Sequence, residues 1–133
     1  MDEKQVEVYQ GEKGEVVFRV DENEGTIWAT RDQIAKVFGV DKTVIGRHIR
    51  NIFNDGELEE KRVSAKNALT AADGKTYLTN FYNLDVIISV GYRVNSRKAT
   101  DFRIWATKVL HKYISNGVAV AVFCEQWRAG QRR

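Results

Sequence analysis

The sequence predicts an α+β fold with N-terminal antiparallel β-strands, a helix pair and C-terminal helices. Three observations carry this prediction. Apolar residues alternate with polar ones near the N-terminus, the apolar spacing becomes helical from Arg31, and an Asp73-Gly74 pair marks a β-hairpin further on. The composition agrees, because 43% hydrophobic and 29% charged residues are typical of a soluble globular domain.

The first third of the chain predicts a three-stranded antiparallel meander over residues 5–29. In the stretch EVVFRV, Val16, Phe18 and Val20 fall on one face, which is the period of a strand. The segments GEKG and DENEG supply residues that favour turns. The stretch TIWAT is short, apolar and rich in residues that favour strands, so it predicts the third strand.

The next segment, residues 30–54, predicts two helices joined by a tight turn. Thr30 and Asp41 are predicted to cap the helices, and Gly39 to end the first one, because glycine takes a positive φ without strain. This spacing is typical of a helix-turn-helix motif, which needs a small residue where the helices touch, a tight turn and apolar residues beyond it. The residues at these positions are Ala35, Gly39, Val40 and Ile45.

The second helix of this pair has an apolar side and a polar side. At about 100° per residue, Ile45, Ile49 and Ile52 share one side. Arginine suits the two acceptors of guanine, lysine or threonine suits phosphates and base edges, and a glycine permits close approach to DNA. The candidate DNA-binding residues are Lys42, Thr43, Gly46, Arg47, Arg50 and Asn51. A plain pair of packed helices without DNA contact is the alternative.

A β-hairpin over residues 62–82 and helices over residues 84–116 are predicted next. The hairpin is a candidate wing, with Lys66 and Lys75 either as phosphate contacts or as plain surface lysines. In the last helix, Trp105 borders an apolar stripe and is interpreted as a core residue. A neighbouring basic stripe offers either phosphate contacts or a solvated face. Its residues are Arg97, Lys108 and Lys112.

Charge is distributed unevenly along the chain. Residues 1–25 carry eight acids and three bases, and residues 92–133 carry nine bases and two acids, so their net charges are −5 and +7. A basic segment of this kind fits an anionic partner, or forms a solvated basic surface. Residues 118–133 begin with an apolar run that is too short to span a bilayer. Three alternatives are open for this tail, which are a last strand, a continuation of the helix and a partner-binding segment.

The sequence contains no motif of a known catalytic site. It has no phosphate-binding glycine loop, no HExxH pair and no cysteine or histidine set with metal-ligand spacing. The single cysteine, Cys124, excludes an internal disulfide. We therefore expect a protein without enzymatic activity, cofactor or metal. The absence of a secretory signal leads us to expect a cytoplasmic protein that does not bind membranes.

Several long stretches resemble a known family. Over about residues 5–117, the chain is similar to the N-terminal region of the RhuM family of bacterial virulence-associated proteins. The similarity is carried by the stretches IWATRDQIAKVFGVDKTVIGRHIRNIFNDGEL, YNLDVIISVGYRVNS and FRIWAT. The resemblance implies one domain over residues 1–117, followed by a diverged tail. It also implies a DNA-binding protein of bacterial mobile or horizontally acquired regions. The stretch FRIWATKVLHKYISNG is remotely similar to the Bro-N domain of phage and viral antirepressor-type proteins.

These observations lead to two expected functions. The first is a transcriptional or mobile-element regulator that binds double-stranded DNA, and a homodimer is expected because one short helix reads few base pairs. The alternative is an antirepressor-like protein-interaction module without direct DNA readout. In that case the acidic N-terminal strands or the apolar tail would contact a protein partner.

Overall fold

The structure is a computed structural model that describes residues 5–70 and 72–113. The described strands are β1 (Gln5–Gly11), β2 (Gly14–Asp21), β3 (Thr26–Trp28), β4 (Ser64–Thr70) and β5 (Thr76–Tyr82). The described helices are α1 (Arg31–Phe38), α2 (Lys42–Asn54), α3 (Glu60–Val63), α4 (Leu84–Val94) and α5 (Ser96–Tyr113). The predicted end of the last helix at residue 116 and the predicted tail over residues 118–133 lie outside the described residues.

The predicted α+β class is confirmed. The first sheet has the order β1-β2-β3 and the second pairs β4 with β5, and every pairing in both sheets is antiparallel. The hairpin strands enclose the predicted turn, where Gly74 has a φ of 85°. The four-residue helix α3, which precedes the hairpin, was not predicted.

The helix pair begins and ends where its sequence predicts. Thr30 forms a capping box, in which its hydroxyl accepts the N–H of Gln33 at 3.2 Å and its own N–H donates to the Gln33 side chain at 2.8 Å. Gly39 ends α1 in the left-handed region, with a φ of 71°. Its N–H and that of Val40 both donate to the carbonyl of Ala35. The Asp41 carboxylate then caps α2 by accepting the N–H of Thr43 at 2.9 Å.

The core lies between the first sheet and the helices. The inner face of the sheet buries Val16, Phe18 and Val20, as their alternation predicts. Phe18 and Trp105 pack their rings against Phe102 of α5 with centroid distances of 5.5 Å each. The core interpretation of Trp105 is therefore confirmed.

Helix α4 is the most deeply buried helix of the described chain, with Val86, Ile87 and Val90 fully covered. The buried hydroxyl of Thr26 in β3 accepts the N–H of Leu84 at 3.1 Å, so the sheet satisfies a donor at the start of α4. At Gly91 the neighbouring elements approach closely. A Cβ built there would lie 2.6 Å from a ring carbon of Phe38.

The second hairpin is attached at its base and exposed along its length. Ala29 and Tyr82 exchange two main-chain hydrogen bonds of 2.9 and 2.8 Å, which join the base of β5 to the residue before α1. Phe81 is buried beside this junction. Further out, Leu69 and Tyr77 are exposed, and Leu78 is 77% exposed. The hairpin is therefore an arm that projects from the body of the protein.

Candidate nucleic-acid interface

Helix α2 has the two faces that its sequence predicts. Ile45, Ile49 and Ile52 are buried against the body of the protein, so the scaffold role predicted for Ile45 agrees with its position. Ala35 is also buried, and Val40 is partly buried against the same core. The opposite side of α2 is exposed to solvent. It carries Lys42, Thr43, Arg47, Arg50 and Asn51.

The cations on this exposed face have no carboxylate partner in the described chain, unlike some of the cations elsewhere in it. Lys42, Arg47 and Arg50 form no ion pair with any residue in the described part of the chain. By contrast, Arg93 pairs with Asp55 at 3.2 Å and with Glu57 at 2.9 Å. The guanidinium and ammonium groups of α2 are thus available to an external anion.

The N-terminal end of α2 carries one negative charge. The Asp41 carboxylate accepts hydrogen bonds from both the hydroxyl and the N–H of Thr43, and these bonds hold the pKa of Asp41 below its usual value. The Thr43 hydroxyl therefore donates its proton within the protein, and only its lone pairs remain to accept a hydrogen bond from a ligand.

Gly46 is half-buried because a side chain of α1 lies across it. A Cβ built on Gly46 would lie 3.3 Å from Cδ and 3.4 Å from Nη1 of Arg31. Arg31 itself is exposed, and no ion pair joins it to a residue within 5–70 or 72–113. Arg31 could not be identified as a site residue from the sequence, because its distance from α2 depends on how the two helices cross.

Two cavities with shared wall residues lie beside the hairpin arm and beside α2. A cavity of 380 Å³ is bounded by the start of α1 and by Leu69 and Leu78 of the hairpin. A second cavity of 270 Å³ is bounded by α2, including Arg50. Arg31 and Tyr82 belong to the walls of both cavities.

The basic stripe predicted on α5 is only partly available to a ligand. Lys112 lies 3.2 Å from Glu7 of β1, and the neighbouring Lys98 lies 3.1 Å from Glu12. Acids of the first sheet thus neutralise part of the basic C-terminal charge inside the molecule. Arg97 and Lys108 are exposed and have no ion pair with the described residues.

His48 lies on the flank of α2 between the buried and the exposed face. Its Nδ1 is buried and has no hydrogen-bond partner among the residues that the structure describes. Burial lowers the pKa of His48, and the positive charges of Arg47 and Arg93 lower it further. The environment of His48 therefore disfavours the charged form of the imidazole.

Residues 5–70 and 72–113 contain no group of three or more histidine, cysteine, aspartate or glutamate side chains placed to hold a metal ion. In the same part of the chain, every helix is too short or too polar to cross a membrane.

The fold and this surface define a small α+β protein with a cationic, unpaired helix face beside a projecting β-arm. The model of the virulence protein RhuM family matches residues 62–123, from the end of α3 through the arm, α4 and α5. The predicted resemblance to the RhuM family is therefore confirmed for this segment. The match runs past Gly117, where the sequence analysis placed the end of the resemblance. No curated protein and no solved structure matches the chain.

Proposed function

We propose that this chain is a sequence-specific double-stranded DNA-binding protein that acts as a regulator, and not as an enzyme. In this proposal α1 and α2 act as a helix-turn-helix and α2 enters the major groove. The observation that carries it is the set of exposed cations on α2 that have no carboxylate partner within the described chain. Surface cations left without partners beside an amide fit the acceptor-rich edge of a DNA groove.

The contacts divide into base readout and backbone positioning. Arg47 and Arg50, with Asn51, are assigned to base edges, since arginine pairs with guanine and asparagine with adenine. Lys42 lies at the start of the helix and is assigned to phosphate. The arm formed by β4 and β5 is assigned the role of a wing, with the exposed Lys66 and Lys75 toward the backbone. Arg97 and Lys108 of α5 are candidates for further phosphate contacts.

In vitro selection from random duplexes with the purified chain tests this proposal. We expect the selected duplexes to share a motif, and a palindromic motif would support the proposed homodimer. Arg47→Ala should relax the preference at one position of that motif, whereas Lys108→Ala should weaken all duplexes alike and reduce the salt dependence. Failure to enrich any motif, with unchanged binding after both substitutions, would reject the assignment.

A second candidate function is protein interaction through the first sheet. Val6, Val8 and Val17 are each about half exposed on the outer face of the sheet, where Val8 is directly opposite Val17. Such an apolar sheet face suits a protein partner. This candidate would be favoured if a partner bound the Arg47→Ala variant normally but not a Val8→Glu variant, in the absence of any DNA binding.

A further inference from the structure

The surface between α2 and the arm contains a cation whose position depends on a glycine. Arg31 is the first residue of α1, and its side chain crosses α2 at Gly46, within 3.4 Å of where a Cβ would stand. Any side chain at position 46 would have to displace Arg31 by at least a few tenths of an ångström. A helix-interior glycine is unfavourable by about 1 kcal/mol relative to alanine. We interpret Gly46 as a residue that accepts this cost because it leaves space for the side chain of Arg31.

The surroundings of Arg31 lack a compensating ion pair. No acid within residues 5–70 or 72–113 pairs with its guanidinium. Asp32 lies in the wall of the cavity on the arm side, and Glu60 in the wall of the cavity on the α2 side. On the α2 side Arg31 shares its cavity with a second unpaired cation, Arg50. This surface therefore carries two unpaired cations, and Asp32 and Glu60 contribute acids to its walls.

The position of Arg31 suits one particular part of a DNA duplex. A helix in the major groove and a wing over the adjacent minor groove are separated by a single sugar-phosphate strand. In this protein a cavity beside the arm and a cavity beside α2 both have Arg31 and Tyr82 in their walls. In a complex of that kind a guanidinium at this place would face the strand, and arginine can form two parallel hydrogen bonds to a phosphate.

We propose that Arg31 binds a DNA backbone phosphate between α2 and the arm, and that Gly46 is a positioning residue that keeps Arg31 in place. The inference rests on the proposed DNA-binding function and adds to it a ligand site outside the predicted reading face. It also changes the role of Gly46, which acts through Arg31 and does not itself contact DNA.

A double-variant cycle tests both parts of the inference. Binding of a fluorescently labelled duplex is measured by anisotropy over a range of NaCl concentrations for the wild type, Arg31→Ala, Gly46→Ala and the double variant. Arg31→Ala should weaken all duplexes alike and reduce the slope of log affinity against log salt by about one, the contribution of a single phosphate contact. Gly46→Ala should weaken binding while the melting temperature stays equal to or above that of the wild type.

The double variant provides the decisive comparison. If Gly46 acts through Arg31, adding Gly46→Ala to Arg31→Ala should cause no further loss of affinity. A further loss equal to that in the wild-type background would overturn the positioning role. Lys36→Ala is the charge-matched control, because Lys36 is exposed on the same helix about 140° around its axis from Arg31. The Lys36→Ala variant should retain the wild-type salt slope.

The failures of the two proposals are distinguishable. A wild-type chain that binds no duplex even at low salt would reject the DNA-binding function and the inference together. A wild-type chain that binds duplex DNA, with Arg31→Ala showing the same affinity and salt slope, would overturn the phosphate site alone. Gly46→Glu gives an independent check, since its carboxylate would pair with Arg31 and should reduce the slope as Arg31→Ala does.

Discussion

At the scale of single residues, the buried hydroxyl of Thr26 shows how one polar group joins two distant segments. It accepts the N–H of Leu84 across 58 positions of the chain. The first N–H groups of a helix have no partner within the helix. Here the donor is buried away from water, so its partner must come from the protein.

Thr26→Val should therefore destabilise the protein. Valine matches the shape of threonine but cannot accept a hydrogen bond, so the N–H of Leu84 is left buried and unpaired at a cost of about 1–3 kcal/mol in the free energy of unfolding. Urea unfolding measures this loss. Thr26→Ser keeps the hydroxyl and should retain most of the stability, and equal losses in the two variants would contradict the role of the hydrogen bond.

His48 leads to a pH prediction at the same scale. Because burial lowers its pKa in the folded state, the unfolded chain binds more protons once the pH falls below about 6.5. The free energy of unfolding should therefore decrease as the pH falls from about 6.5 toward 5.

His48→Gln should flatten this decrease, since glutamine does not titrate. The measurement is urea unfolding at several pH values in that range. The exposed His111→Gln serves as the matched control for the loss of one histidine side chain. An identical slope in His48→Gln and the wild type would rule out His48 as the source.

At the scale of elements, the same substitution should have opposite effects in two helices. Gly91→Ala in α4 places a Cβ 2.6 Å from Phe38 and 2.8 Å from the Cβ of Ala99. Such overpacking costs about 1–3 kcal/mol. Gly46→Ala in α2 meets only the flexible side chain of Arg31, so the helix preference of alanine should dominate and add up to about 1 kcal/mol.

Thermal or urea unfolding of the two variants checks the sign of each change. A neutral Gly91→Ala would contradict the predicted overpacking at Gly91, and a destabilised Gly46→Ala would show that the helix preference of alanine does not dominate at position 46. The pair also separates stability from binding, because Gly46→Ala is expected to fold well and bind DNA poorly.

The elements differ in how far the sequence alone predicts them. The ends of α1 and α2 are set by local chemistry at Thr30, Gly39 and Asp41, so they can be identified from the sequence. The arm is likewise predicted by its turn residues and by the alternation of its strands. Contacts between segments far apart in the chain leave no periodic signal. The packing of Arg31 on Gly46 is therefore visible only in the structure.

At the scale of the whole molecule, part of the unequal charge along the chain is neutralised by ion pairs within the protein. Glu7 accepts a hydrogen bond from Tyr113 and pairs with Lys112, and these contacts lower the pKa of Glu7. Glu12 likewise pairs with Lys98. The acidic start of the chain and its basic later part therefore stabilise each other. The net charges of the two segments could be read from the sequence, but this pairing depends on the packing of α5 beside β1.

Replacing both acids should release these lysines. We expect the Glu7→Gln, Glu12→Gln variant to unfold more readily, by roughly 0.2–1 kcal/mol for each pair lost. Its affinity for duplex DNA should rise at low salt for all sequences, because two negative charges are removed. Unfolding curves and anisotropy titrations measure the two effects. A variant with wild-type stability would indicate that the pairs contribute nothing in solution.

The attachment of the arm has a mechanical consequence. The arm is fixed at one end, where Tyr82 is bonded to Ala29, and Ala29 is followed directly by the cap Thr30 and then by Arg31. It is therefore a lever whose fulcrum lies two residues from the start of α1. A force on the tip near Gly74 produces a torque at this junction, and it is transmitted to α1 through Ala29 and to α4 through the chain that follows Tyr82. We expect a load at the tip of the arm to reach the start of α1 and the buried helix α4 together.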